Sequence, residues 1–202
     1  MKPATISVFL LFFLLPIAAA LVCYHCHERN SDTCEQEQID CPEGEQCITI
    51  SEKYAINGTY HSIFKGCAHG VKCGGIIYTG MNNNAFFTIN NKCCNKDLCN
   101  EQFFELEEVD DEPNGVVCPT CLETNNIEDC KGDKEYKCRG NNDICYTFSG
   151  DVEKPDGNVI TYIVQGCTSS AGCEAHIGKF IGIDVLKIDT FKCPDNPGQE
   201  EN

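Results

Sequence analysis

Alternating apolar and polar residues predict a long β-hairpin in the first half of the chain. The run 47–54 alternates in this way and is rich in β-branched residues, and a second such run returns over 60–67. Asn57 and Gly58 lie between the two runs. Asn-Gly between alternating runs is a strong signal for a tight turn, so we predict a central hairpin here.

The second half of the chain repeats this layout. A run over 145–149 leads out, Pro-Asp-Gly-Asn at 155–158 turns, and a β-branched run over 159–164 returns. Because Gly and Asn favour the backbone angles of tight turns, this spacing predicts a second central hairpin.

A further hairpin is predicted over 75–89, where apolar runs flank an asparagine-rich stretch at 81–84. Its counterpart in the second half is the segment 177–188, which contains two glycines. No window of the chain combines a helical period with capping residues. The predicted fold class is therefore all-β, built of long hairpins.

The spacing of the cysteines indicates that these hairpins belong to two copies of one module. From Cys23 to Cys93 the gaps contain 2, 7, 6, 5, 19, 5 and 19 residues. From Cys118 to Cys193 they contain 2, 8, 7, 6, 21, 5 and 19 residues. The two series agree gap by gap within two residues, which indicates an internal repeat.

The repeat and the two chain ends divide the sequence into five predicted segments. The N-terminus has one basic residue, an apolar run and three small residues, which is the pattern of a secretory signal that is too short to span a membrane. The C-terminus is polar and acidic, without the apolar tail of a lipid-anchor signal. We therefore expect a secreted, extracellular protein without a membrane anchor. The segments are a signal peptide at 1–20, a first module at 21–100, an acidic linker at 101–117, a second module at 118–193 and an acidic tail at 194–202.

Composition indicates a disulfide scaffold. All 18 cysteines follow the signal peptide, make up about 10% of the mature chain and are even in number, so each can pair. A secreted protein encounters oxidising conditions, in which disulfides persist. Modules of about 80 residues bury little apolar surface, so covalent bridges are expected to stabilise them.

The net charge of the chain indicates which classes of binding partner to expect. Without Lys2, 14 basic residues face 31 acidic ones, which gives a net charge of −17. Nucleic acids and anionic membranes are bound by basic surfaces, so neither is an expected partner. A basic extracellular protein remains a plausible partner, and self-association into a homo-oligomer is also compatible with the sequence.

The linker 101–117 combines charge with aromatic residues. It contains seven acidic residues and no basic one, and Pro-Asn-Gly at 113–115 predicts a turn before the second module. Phe103, Phe104 and Leu106 are too apolar for a simple spacer. Two interpretations remain open: the three side chains pack on a module surface, or they form a docking strip for a partner.

Three cysteines within eight residues form a predicted knot at the end of the first module. Cys93 and Cys94 are adjacent, and neighbouring residues are poorly placed to form a relaxed disulfide. Cys94 and Cys99 are close enough to close locally. Cys93 is then expected to pair with a cysteine earlier in the chain.

The segments 21–26 and 93–100, which read LVCYHC and CCNKDLCN, resemble the borders of the three-finger fold of the Ly-6/urokinase-receptor superfamily. The resemblance covers nearly all of the mature chain and implies two tandem three-finger domains. It also implies a pairing, which the sequence alone could not choose. The implied bonds are Cys23–Cys47, Cys26–Cys34, Cys41–Cys67, Cys73–Cys93 and Cys94–Cys99, then Cys118–Cys145, Cys121–Cys130, Cys138–Cys167 and Cys173–Cys193.

The second module lacks the last cysteine pair of the single-module pattern. This two-module form resembles gamma-type phospholipase A2 inhibitors and the amphibian sodefrin-precursor-like secreted factors. The resemblance implies a non-enzymatic protein that blocks a secreted, basic phospholipase A2 by steric occlusion. The alternative is a secreted signalling or pheromone-like factor, or a soluble receptor-type ligand binder, since one scaffold serves many functions.

Motifs for other chemistry have simpler explanations. The segment 23–27 fits the C-x-x-C-H pattern of haem attachment, but Leu122 replaces the histidine in the repeat, so disulfides are preferred. Zinc requires thiolates, which an oxidising compartment removes. The acids at 110–112 lack the alternating ligands and glycine of a calcium loop. We therefore predict no metal and no cofactor.

The histidines give no indication of an enzyme. None lies in a metalloprotease motif, the chain has no Gly-x-Ser-x-Gly elbow, and an even cysteine count leaves no thiol for Cys-His catalysis. These residues are His25, His27, His61, His69 and His176.

Asn57 begins Asn-Gly-Thr, the one glycosylation signal of the chain. It coincides with the predicted tip of the central hairpin, where a glycan would shield the tip from partners. We predict that Asn57 is glycosylated.

Overall fold

The structure is a computed structural model, and it describes residues 20–56, 58–71, 73–74, 76–82, 84–106, 112–126, 130–174 and 180–193. It is almost entirely antiparallel β-sheet, which confirms the predicted all-β, disulfide-rich class. Among these residues, the first module contains six strands and the second contains five strands and one short helix.

The strands of the first module lie in the order β2-β1-β4-β3-β6-β5. Their bounds are β1 Val22–Glu28, β2 Glu37–Asp40, β3 Cys47–Ala55, β4 Thr59–Cys67, β5 Ile76–Asn82 and β6 Ala85–Cys94. The β3–β4 ladder runs without interruption from Cys47 opposite Cys67 to Ala55 opposite Thr59, as the alternating pattern predicts. Gly58 has a φ angle of 135°, a conformation that glycine adopts without the steric cost of a side chain.

The third hairpin of the first module is longer than predicted. Strand β5 continues through Met81 to Asn82, and Asn82 pairs with Ala85 at the end of the ladder. The asparagine-rich stretch 81–84 is therefore partly strand rather than wholly turn. Met81 is buried against the second module, and this packing is not visible in the local sequence.

Strands β9 and β10 form the central hairpin of the second module, again as predicted but with more residues. The elements are β7 Pro113–Thr124, β8 Lys134–Arg139, β9 Ile144–Glu153, β10 Val159–Thr168, helix α1 Ser170–Glu174 and β11 Asp184–Lys192. Strand β9 pairs with β10 on one side and with β11 on the other, as β3 pairs with β4 and β6.

The hairpin predicted over 177–188 differs from its counterpart in the first module. Helix α1 precedes it, although no helix was predicted, and the described residues 180–183 form no strand before β11 begins at Asp184. The Oγ of Ser169 accepts a hydrogen bond from Gly172 N at 3.3 Å and so supports this single helical turn. A turn of five residues is too short to show a helical period in the sequence.

Strand β7 begins at Pro113, within the segment expected to be linker. The predicted turn at 113–115 is therefore the irregular start of this strand, and its register to β8 shifts between Pro113 and Val117. Asn114 fixes this start, because its Nδ2 donates to the carbonyl oxygens of Gly140 and Asn142, each at 3.0 Å.

All 18 cysteines form disulfides, so none is free. These are the same pairs that the resemblance implies. In each module three bonds tie the strands into a common base, and a fourth bond fixes the end of the last strand, at Cys93 in β6 and at Cys193 just after β11. The first module has a fifth bond, Cys94–Cys99. The bonds are Cys23–Cys47, Cys26–Cys34, Cys41–Cys67, Cys73–Cys93, Cys94–Cys99, Cys118–Cys145, Cys121–Cys130, Cys138–Cys167 and Cys173–Cys193.

The two modules share one sheet and one apolar core. Strand β10 pairs with β5 of the first module, with Cys167 opposite Gly80 and Thr168 opposite Thr79. Thr120 Oγ1 also donates to the carbonyl oxygen of Met81. The shared core consists of Met81 and Ala85 from the first module and Tyr146, Val152, Tyr162 and Val164 from the second. We call this contact the seam.

Candidate binding surface

The base of the first module is closed by Asn100, the last residue of the predicted knot. Asn100 is buried, and its Oδ1 accepts a hydrogen bond from Tyr24 N at 2.9 Å. Its Nδ2 donates to Tyr24 O at 2.8 Å and to Ile48 O at 3.2 Å. The sequence gives no indication of this role, because both partners are distant in the chain.

The start of the linker lies on the sheet of the first module. Lys65 is fully buried, and its Nζ donates to Glu101 O at 2.7 Å and lies 3.7 Å from the centroid of the Phe103 ring. Burial lowers the pKa of Lys65 to about 8, although Glu101 partly opposes this effect. Phe103 thus supplies a cation–π partner for a lysine inside the fold.

Phe104 makes the same kind of contact one position later. Lys92 Nζ lies 4.4 Å from the centroid of the Phe104 ring. Phe104 and Leu106 are half-buried, whereas Phe103 is 37% exposed. Phe103 and Phe104 therefore pack on the module, and a docking role for Phe103, Phe104 and Leu106 stays a prediction.

Glu52 connects the modules through a buried carboxylate. Its side chain is 1% exposed, and it accepts hydrogen bonds from Ile181 N at 2.7 Å and Gly182 N at 2.8 Å. Desolvation raises the pKa of Glu52 to about 7, against the opposing effect of the two backbone donors. This is the only seam contact in which a fully buried acid of one module binds the backbone of the other, among the described residues.

Further contacts surround Glu52 and hold the segment 180–184 on the first module. Phe180 packs edge to face on Phe87, with ring centroids 4.8 Å apart. Arg29 forms an ion pair with Asp184. A Cβ at Gly182 would collide with Ser62, so glycine permits the close approach. The segment is therefore fixed by apolar, ionic and backbone contacts together.

Two exposed apolar residues lie on the edge strand of the second module. Leu186 and Ile188 on β11 are 55% and 45% exposed. Strand β11 ends the strand order of the shared sheet and pairs only with β9 within the described chain. We call this pair the β11 edge. Exposed apolar residues on an edge strand are a typical protein-contact surface, and sequence analysis did not identify them.

Charge and irregular pairing accompany the β11 edge. Lys187 and Asp189, which alternate with the two apolar residues along β11, form an ion pair with Lys187 Nζ 2.7 Å from Asp189 Oδ1. The register of β11 to β9 shifts between Val185 and Lys187 and again between Ile188 and Thr190. Bulges and charges of this kind oppose uncontrolled strand addition, so the edge favours a specific partner over aggregation.

The sulfur clusters of the fold offer no metal site. Two groups of three cysteine sulfurs lie close together, at Cys47, Cys94 and Cys99 and at Cys118, Cys138 and Cys167. Every one of these sulfurs is in a disulfide and so is not a thiolate.

Three of the described histidines have polar partners. His25 and His69 bind Glu37 and Glu45 through Nδ1 at 3.2 and 2.5 Å, and His27 Nε2 lies 3.3 Å from Ile181 O. His61 lies opposite Lys53 in the β3–β4 ladder.

Some predicted features fall outside the described residues. These are Asn57, the acids Asp110 and Asp111, His176, the signal peptide and the acidic tail. Within the described part of the chain, no helix has the length and apolar character needed to cross a membrane.

Comparisons with known proteins identify relatives of both modules. The family model for the u-PAR/Ly-6 domain matches residues 19–102 and again 114–196. Protein RoBo-1 of Rattus norvegicus is 29% identical over 111 residues, which cover 55% of this chain and 43% of RoBo-1, so the match spans less than half of that relative. Phospholipase A2 inhibitor PIP of Malayopython reticulatus is 25% identical over 167 residues, which cover 81% of each chain. The crystal structure of mouse TEX101 aligns over 85% of this chain and 98% of its own, with 20% identity and a TM-score of 0.37.

Proposed function

Because the chain belongs to the u-PAR/Ly-6 domain family, we propose that it is a secreted, non-enzymatic binding protein that inhibits a secreted phospholipase A2 by steric occlusion. The observation that carries the proposal is the similarity to phospholipase A2 inhibitor PIP across 81% of both chains, which includes both modules. A relative that matched one module alone would support only a shared scaffold.

The seam packs the two modules of the proposed inhibitor against each other. The pairing of β5 with β10, the shared core and the Glu52 contacts join the modules. Binding of the enzyme therefore does not have to order one module relative to the other. A preorganised surface loses less conformational entropy on association. We propose that the β11 edge supplies the apolar centre of the contact, with Leu186 and Ile188 covering the lipid-facing mouth of the enzyme.

The negative charge supports selection of a basic enzyme. The mature chain carries a net charge of −17, and opposite charges raise the rate of association more than the final affinity. Salt screens such steering, with a Debye length of about 8 Å at physiological ionic strength. The association rate is therefore expected to fall as salt rises, whereas the dissociation rate stays nearly constant.

The direct test is titration of the purified full-length secreted protein against a basic and an acidic secreted phospholipase A2. We expect inhibition of the basic enzyme at or below micromolar protein and at least 10-fold weaker inhibition of the acidic enzyme. Undiminished hydrolysis by both enzymes at micromolar protein would exclude the proposal and favour the signalling alternative.

Matched variants then locate the contact. Replacing Leu186 and Ile188 together by Asp should raise the half-inhibitory concentration at least 10-fold, because central apolar contacts dominate such interfaces. Val117→Asp is the control, since Val117 is 46% exposed but lies on β7 in the same module. If Phe103→Ala weakens inhibition while the β11 variant does not, the docking strip is the contact and the β11 edge is excluded.

A further inference from the structure

An apolar cavity of about 120 Å³, partly open to solvent, lies in the seam. Tyr54, Met81 and Phe87 of the first module and Val152 and Val164 of the second are among its lining residues. Protein interiors are close-packed and contain few voids larger than one water molecule. The space is larger than the roughly 10–15 Å³ that one water needs on the same measure, so it can admit a larger molecule.

The lining favours an organic occupant over water. Aromatic and aliphatic side chains from both modules form nearly the whole wall. An ordered water needs two to four polar partners, and this wall offers few of them. An engineered apolar cavity of about 150 Å³ in another protein binds benzene, so the present cavity suits a molecule of about that size.

Tyr54 adds one unsatisfied polar group to this wall. Its side chain lines the cavity and is 3% exposed, and its hydroxyl is buried without a hydrogen-bond partner among the described residues. Buried tyrosine hydroxyls ordinarily find a partner. Burial also raises the pKa of Tyr54 well above its usual value, so the group remains a neutral O–H. A ligand oxygen would satisfy it.

Lys154, Thr79 and Thr168, three further polar residues of the wall, already have partners. Lys154 is the one charged residue in the described lining, and its Nζ lies 3.3 Å from Asp156 Oδ2. Thr79 Oγ1 and Thr168 Oγ1 lie 3.2 Å apart, within hydrogen-bond distance of each other. The cavity therefore offers no unpaired charge to a ligand, and an uncharged molecule is favoured.

We propose that this cavity binds a small, uncharged hydrophobic molecule of about the size of benzene that carries one hydrogen-bonding oxygen, with phenol as the simplest example, and that this oxygen pairs with the Tyr54 hydroxyl. Residues of both modules form the wall, so the ligand binds only when the modules are packed together. By mass action it then stabilises the seam.

The test compares phenol, benzene and benzoate as probes of the full-length secreted protein, by calorimetry and by the ligand-induced rise in Tm. We expect saturable phenol binding, benzene binding that is about 3- to 10-fold weaker, and no benzoate binding. Tyr54→Phe should bring phenol and benzene to equal affinity, because the variant removes only the hydroxyl. Absence of phenol binding, or benzoate binding as tight as that of phenol, would overturn the proposal.

Variants in which a larger side chain fills part of the cavity test whether the probes bind there. Val164→Leu adds one methylene to the wall and should weaken both probes at least 10-fold, and Val152→Leu provides the same test if the first variant does not fold. Val117→Leu makes the same change at an exposed site and should leave binding unaltered. If both probes bind the filled variants as tightly as the parent protein, the ligand lies elsewhere and the proposal is wrong.

Discussion

Glu52 shows how a single residue can link pH to the stability of the whole molecule. In the unfolded chain its pKa is close to 4.5, and in the folded protein burial raises the pKa to about 7. Between these values the folded state holds a proton that the unfolded state has released. The free energy of unfolding therefore falls as the pH rises from about 4.5 to about 7.

We predict that Glu52→Gln removes this contribution to the pH dependence. The difference between 4.5 and about 7 corresponds to about 3 kcal/mol, which is the largest change expected between pH 4.5 and pH 7.5. Denaturant unfolding of both proteins at several pH values measures it. Glu28→Gln, at an exposed position of β1, should retain the parental dependence. Parallel curves for the parent protein and Glu52→Gln would show that the carboxyl group does not titrate in this range.

Most of the candidate contacts at the residue scale could not be predicted from the sequence. Glu52 looks like any polar residue on an alternating strand, and its partners are 129 and 130 residues away. Lys65 likewise looks like an ordinary surface lysine in the sequence pattern, but it is buried in the fold. Phe103 and Phe104 were identified as unusual, but their lysine partners become visible only in the folded sheet.

At the scale of elements, local signals predicted the hairpins well. The alternating runs and the Asn-Gly turn act within a few residues, so the β3–β4 hairpin follows from the sequence. The segment before β11 was mispredicted because the repeat suggested a strand where packing on the first module places irregular backbone. Whether such a position forms a strand depends on its pairing and packing with elements that are distant in the chain. The local sequence pattern does not show these contacts.

The repeat offers a matched test of the seam at this scale. Gly66 and Gly166 are equivalent by cysteine spacing, yet a Cβ at Gly166 would collide with the backbone of Gly80, whereas one at Gly66 would meet the movable ring of Phe64. We predict that Gly166→Ala strongly destabilises the seam and that Gly66→Ala changes it little. Hydrogen exchange of β5 and β10 measures the effect. Equal protection in the two variants would contradict this account of the β5–β10 contact.

The whole molecule is expected to behave as one cooperative unit, although the sequence indicates two modules. Cysteine spacing reveals the duplication, but the shared core between Met81, Ala85 and the second module depends on side chains that any single module would expose. Burial of apolar surface stabilises the folded protein by roughly 25 cal/mol per Å². Separating the two modules would expose this surface to water and would therefore cost free energy.

Cutting the linker tests this cooperativity directly. We predict that cleavage at a protease site inserted into the linker does not separate the halves. No disulfide joins the two modules, but paired strands, the shared core and the Glu52 contacts do. The two fragments should co-elute in size-exclusion chromatography at micromolar concentration and dissociate in denaturant. The same cleavage in Gly166→Ala should release the modules, since that substitution weakens the β5–β10 contact. Fragments of the parent protein that elute separately would show that the linker, and not the seam, holds the two modules together.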